Sequence, residues 1–160
     1  MIILGIDPGL NGALAFYDTQ EQSLLVIDMP TVEIVRGGKT KREVNGTLLS
    51  NAIITSAVEK PRVAYVERVG AMPKQGVSGM FSFGRSMGLI EGVLAAWDIP
   101  MRLVNPKEWR KFSDCPDGKD GSRVAVMRLY PNATESFKLK KHDGRADATL
   151  IMHYGRMKFA

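Results

Sequence analysis

Three short apolar runs open the chain: Ile2 to Ile6, Gly12 to Tyr17 and Leu24 to Met29, separated by polar, glycine-containing turns. Runs this short, joined by turns rather than helices, predict an antiparallel three-strand meander. The stretch Arg36-Gly-Gly-Lys-Thr-Lys-Arg42 reads as a basic loop left in water. From Asn45 to Val58 the residues Leu48, Leu49, Ala52, Ile53 and Ser56 recur at helical spacing, with Asn45 as cap and Pro61 as stop. Val63 to Val66 is then a buried strand that ends on Glu67.

A glycine- and proline-bearing loop, Gly70 to Gly79, leads to a long helix from about Gly79 to Trp97. On it Met80, Phe83, Met87, Ile90, Leu94 and Trp97 step by three and four, which predicts one core-facing stripe. A second stripe, Gly84, Gly88, Gly92 and Ala96, asks for close packing in return for the helix propensity that glycine gives up. Two partners fit it equally, the sheet beneath or a second copy of the chain. Met101 to Val104 is another strand, followed after Pro106 by an amphipathic turn through Trp109. Lys119 to Tyr130 and Gly144 to Met157 complete the helices, and no internal repeat appears. Strands and helices alternating after a meander imply an α/β fold with a mixed sheet and helices packed on it.

With 160 residues and 44% hydrophobic composition, the chain suits one domain spanning 1–160. No stretch approaches the roughly 20 apolar residues of a membrane span, and Ile2-Ile3-Leu4 runs into Gly5 with no basic leader, so no membrane partner and a cytoplasmic location are expected. The single Cys115 offers neither a disulfide nor a zinc cluster. A net charge of +5 points mildly to a polyanionic partner.

Several acidic residues fall where burial is expected. Asp7 ends the first strand before Pro8-Gly9, Glu67 ends the fourth before Arg68, and Asp147 sits between alanines beside the apolar face of Leu150, Ile151 and Tyr154. Asp143, four residues before Asp147, shares its helix face. Each has an ordinary alternative: Asp7 can start a turn, Glu67 can pair with Arg68, and Asp143 can cap the last helix. Asp147 has the weakest one. Buried carboxylates are costly unless a cation neutralises them, and oxygen ligands suit Mg²⁺, with Mn²⁺ able to substitute. Such a site activates water for phosphodiester cleavage. His142 adjoins Asp143 and is a further candidate ligand or proton carrier, whereas His153 is expected to pack inside the last helix.

These residues carry a resemblance. Ile3-Leu4-Gly5-Ile6-Asp7-Pro8-Gly9 is similar to the first strand of RuvC-like Holliday junction resolvases, and Tyr65-Val66-Glu67 to their second acidic strand end. Phe83-Gly84-Arg85-Ser86-Met87-Gly88-Leu89-Ile90-Glu91-Gly92 resembles their following helix, and Asp143-Gly-Arg-Ala-Asp147-Ala their acidic last helix. The segments run in the family's order over nearly the whole chain. The resemblance implies a ribonuclease-H-like fold with a five-stranded sheet covered on both faces. It also implies a homodimer, four-way DNA junctions as substrate, and Mg²⁺ held by Asp7, Glu67, Asp143 and Asp147. Three departures accompany it. The family's last acidic pair is three residues apart, where this chain has Gly144, so Asp143 or His142 must complete the set. The turn after Pro8-Gly9 is short, as in phage-encoded relatives. The loop after Glu67 carries Met72 where an aromatic wedge is usual.

Around the acids, Arg68, Lys74 and Arg85, with Lys138, Lys140 and Lys141 beside the last helix, are candidate phosphate contacts. The same site could serve flaps, forks or RNA, or the fold could bind nucleic acid without cutting it. An actin-like or sugar-kinase activity is disfavoured, because it needs two such domains around a nucleotide.

Overall fold

The computed structural model describes residues 1–70 and 76–159; Met72 and Lys74 lie outside them. Among these described residues seven strands and five α-helices follow one another. They are β1 (Ile2–Asp7), β2 (Ala13–Asp18), β3 (Ser23–Asp28), β4 (Thr31–Arg36), β5 (Lys39–Val44), α1 (Gly46–Thr55), β6 (Val63–Glu67), α2 (Val77–Ala96), β7 (Met101–Val104), α3 (Pro106–Phe112), α4 (Gly121–Leu129) and α5 (Asp143–Phe159). Two 3₁₀ segments, Pro131–Phe137 and Lys140–His142, join α4 to α5.

The main sheet has five strands in the order β3-β2-β1-β6-β7. The first three form the antiparallel meander, while β6 and β7 run parallel to β1 after the helical crossovers that parallel neighbours require. Strand alternation splits the core. Ile2, Leu4, Ile6, Leu14, Phe16, Ala64 and Val66 pack with Leu49, Ile53, Ile90 and Leu94 from α1 and α2. Ile3, Ala13, Ala15 and Tyr65 pack with Ala148, Ile151 and Met152 of α5 and Val126 of α4. Helices therefore cover both faces, and the fold is ribonuclease-H-like. No helix among the described residues is long and apolar enough to cross a membrane.

Gly5 sets how closely α5 lies on the sheet. A Cβ there would stand 2.3 Å from the Ala148 carbonyl oxygen and 2.5 Å from Met152 Cβ, so only glycine lets the helix settle on β1.

Two expectations need correction. Residues 36–42 are not a loop: β4 and β5 pair as a separate two-stranded ribbon, Arg36 opposite Lys39. Gly37 and Gly38 form its turn with φ of 56° and 71°, positive at both central positions as a tight hairpin requires. Polar residues on both sides of β5 hide the alternation that would mark a strand. On α2 the buried line is Ser86, Ile90 and Leu94; Met87 is half-buried and Trp97 stays 41% exposed. The glycine stripe does not rest on the sheet either, since a Cβ at Gly84, Gly88 or Gly92 would meet nothing within 4 Å. Ile90 and Leu94 face inward, which turns the glycines out.

Candidate active site at the carboxyl ends of the central strands

Alternation along β1 puts Ile3, Gly5 and Asp7 on the α5 face, and along β6 it puts Tyr65 and Glu67 there. The parallel register pairs Ile6 with Val66, so Asp7 and Glu67 end adjacent strands at the same level. Above them runs α5. The close seat at Gly5 brings the preceding helical turn, with Asp147, over the strand ends.

The three carboxyl groups feel one another. Burial pushes Asp7 up to about 6, opposed by the Gly9 amide and reinforced by the charge of Asp147. That amide donates to Asp7 Oδ1 at 3.2 Å, so the turn expected of Asp7 is present together with the burial. Glu67 is pushed up to about 7 by burial and then by Asp7 and Asp147. Asp147 is raised by burial, with Ser122 and Arg110 pulling the other way, and its Oδ1 is buried without a hydrogen-bond partner. An unpartnered buried carboxylate oxygen calls for a compensating donor or cation.

Asp143 stands apart. It opens α5 and accepts from Arg123 Nε at 2.8 Å. Arg123 is itself buried, ion-paired to Asp120 and donating to the Lys138 carbonyl at 3.1 Å. Position 144 is closed to any side chain, because a Cβ there would come 2.1 Å from the Asn11 carbonyl oxygen. His142 is buried, its Nδ1 3.4 Å from the Leu139 amide. His153 packs inside α5 as expected, 2.9 Å from the Tyr130 hydroxyl.

Among the described residues no three His, Cys, Asp or Glu side chains are grouped as a finished metal shell. The donor chemistry nonetheless fits a hard divalent cation: three coupled carboxylates, all held above their ordinary values, and one buried oxygen without a partner.

Around this centre the sequence reading missed Trp109, Arg110 and Ser122. Trp109 Nε1 donates to Glu67 Oε1 at 3.2 Å. Arg110 Nη1 donates to Ser122 Oγ at 2.9 Å, and its charge lowers both Glu67 and Asp147. The one available signal was the helix cap at Asn105 directly after β7, which places α3 beside the end of β6. Glu67 makes no ion pair with Arg68 among the described residues; Arg68 is exposed. Of the other basic candidates, Arg85 is bonded to Glu43 and Lys138 to Glu135, while Lys140 and Lys141 are exposed just before α5.

No protein-family model and no curated protein matches the chain. Solved structures do. Thermus thermophilus RuvC in complex with a Holliday junction substrate is similar with a TM-score of 0.58 at 14% identity, covering 99% of this chain and 96% of that one. A second Thermus thermophilus RuvC structure gives 0.51 at 14% identity, covering 98% and 96%. At that identity the likeness is one of fold, extending over the full length of both chains.

Proposed function

We propose that this chain is a divalent-metal-dependent endonuclease that hydrolyses phosphodiester bonds in branched DNA, four-way junctions above all. The nuclease domain occupies residues 1–160 and works as a homodimer. The observation that carries the proposal is the placement of Asp7 and Glu67 at the ends of adjacent parallel strands, with Asp147 of α5 near enough for its charge to raise both and all three made costly by burial. No packing argument supports three such buried carboxyl groups at one end of the sheet. A cation does.

Asp7, Glu67 and Asp147 would hold Mg²⁺, or Mn²⁺ in its place, and Asp143 would join them on exchanging Arg123 for the ion. The bound ion supplies an activated water and charge stabilisation for the departing oxygen. Trp109 orients the Glu67 carboxylate, and Arg110 offsets negative charge that would repel DNA. Arg68, Lys74, Arg85, Lys138, Lys140 and Lys141 would supply phosphate contacts. The outward glycine stripe of α2 leaves a smooth helix surface beside Met80 and Phe83 on which a second copy can sit, and two-fold symmetry suits a symmetric junction.

Purified protein with Mg²⁺ is expected to nick a labelled four-way junction symmetrically, and Asp7→Asn to bind it without cutting. Parental cutting by Asp7→Asn would overturn the site. Preferential cutting of flaps, forks or RNA would keep the site and replace the substrate.

A further inference from the structure

A second basic surface lies beside the carboxylates, on an element the candidate phosphate contacts do not include. Cross-strand pairing sets Arg36 opposite Lys39, Ile34 opposite Lys41 and Val32 opposite Glu43. Arg36, Lys39 and Lys41 thus share one face of the β4–β5 ribbon with a single carboxylate. That carboxylate is already engaged: Glu43 bridges Arg36 at 3.2 Å and Arg85 of α2. Lys39 and Lys41 are exposed, and among the described residues neither makes an ion pair. With Arg36 held by Glu43, Lys39 and Lys41 are the uncompensated charges of that face, and a polyanion laid along it would neutralise both.

The ribbon is also anchored to the catalytic turn. Arg42 donates to the Leu10 carbonyl at 2.8 Å and to Asn11 Oδ1 at 3.0 Å, three and four residues beyond Asp7. Its base is closed by the Asn45 amide on the Pro30 carbonyl at 3.0 Å. Between ribbon and α2 lies a cleft of about 400 Å³, lined by Leu10, Lys41, Arg42, Ser78, Ser82 and Ser86 and by no carboxylate. Ser78 and Ser82, four residues apart on one helix face, are exposed there, whereas Ser86 is buried and donates to the Ser82 carbonyl at 3.1 Å. Hydroxyl donors opposite basic side chains are the groups that grip phosphate oxygens.

We infer that the β4–β5 ribbon and the first turns of α2 form a groove for the phosphodiester backbone of a DNA strand leading into the carboxylate site. The inference rests on the nuclease reading and adds to it the path of the strand. Base edges are not addressed by this groove, so its contribution is independent of sequence.

The test is binding of a labelled four-way junction by the Asp7→Asn protein with and without Lys39→Ala/Lys41→Ala, over a salt series. A control pair, Lys60→Ala/Lys158→Ala, removes equal charge at the opposite end of the sheet. Both lysines of the ribbon are exposed, and an unchanged melting temperature confirms the fold. The ribbon pair is expected to weaken binding about tenfold and to lower the salt slope by about 2, as two lost phosphate contacts require, while the control pair changes little. Parental affinity and slope in the ribbon variant, or an equal loss in the control, overturns the groove. Cutting by Asp7→Asn itself would instead overturn the carboxylate site, a separate result, because the groove is read by binding alone.

Discussion

The indole N–H of Trp109 reaches Oε1 of Glu67 at 3.2 Å, joining a helix that follows β7 to a carboxylate that ends β6. Trp109 is 1% exposed, so this donor is fixed by packing. Its hydrogen bond holds Glu67 below the value that burial alone would give. Trp109→Phe keeps an aromatic ring there and removes the donor, so Glu67 should titrate above about 7. Cleavage is expected to fall roughly tenfold at neutral pH and to recover toward pH 9. A pH–rate profile that does not move would leave Trp109 as packing only.

The raised carboxyl groups also set a stability profile. Burial pushes Asp7 and Glu67 up to about 6 and about 7 in the folded chain, from ordinary values of 3.8 and 4.5, so the folded state holds protons more tightly than the unfolded one. Their contribution is fully present below about pH 4 and is lost as pH rises through 6 to 7. In chelator at pH 8, Asp7→Asn should therefore be more stable than the parent, by on the order of 1–3 kcal/mol. Mg²⁺ should raise the parent's melting temperature more at pH 8 than at pH 5. Equal shifts at both values would deny a metal role to these groups.

Glycines at two places should respond with opposite sign. Gly144→Ala forces a Cβ to within 2.1 Å of a backbone oxygen and should cost about 3 kcal/mol or more. Gly84→Ala meets open space and should stabilise α2 by about 1 kcal/mol in dilute, monomeric protein. Urea melts of the two variants measure both. Because position 144 has no room, Gly144→Asp should misfold the turn rather than supply a fourth carboxylate.

The outward face of α2 predicts the assembly. In the proposed homodimer Gly88→Arg puts a long charged side chain where α2 is smooth, so it should halve the mass seen by sedimentation while leaving the fold intact. Symmetric paired cutting of a junction should then give way to single nicks. An unchanged sedimentation coefficient would place the partner surface elsewhere.

Much of this was legible along the chain. Uninterrupted apolar runs marked β1, β2 and β6, because a strand buried on both faces has no polar alternate to lose. Asp7, Glu67 and Asp147 stood out as charges interrupting those buried patterns, and the end of a strand fixes where its last side chain emerges. The β4–β5 ribbon was hidden, since it buries little and so leaves no hydrophobic period, and of the α2 stripe only Ile90, Leu94 and half-buried Met87 reach the core, because spacing gives a helix's stripe without saying how much of it the sheet covers. Only tertiary packing decided that Arg123 takes Asp143, that Gly144 is sealed against Asn11, and that Trp109 and Arg110 stand beside Glu67. Those partners come from segments distant in sequence, and which of several acceptable partners a side chain meets is settled by how α5 seats on Gly5 rather than by its own neighbours in the chain.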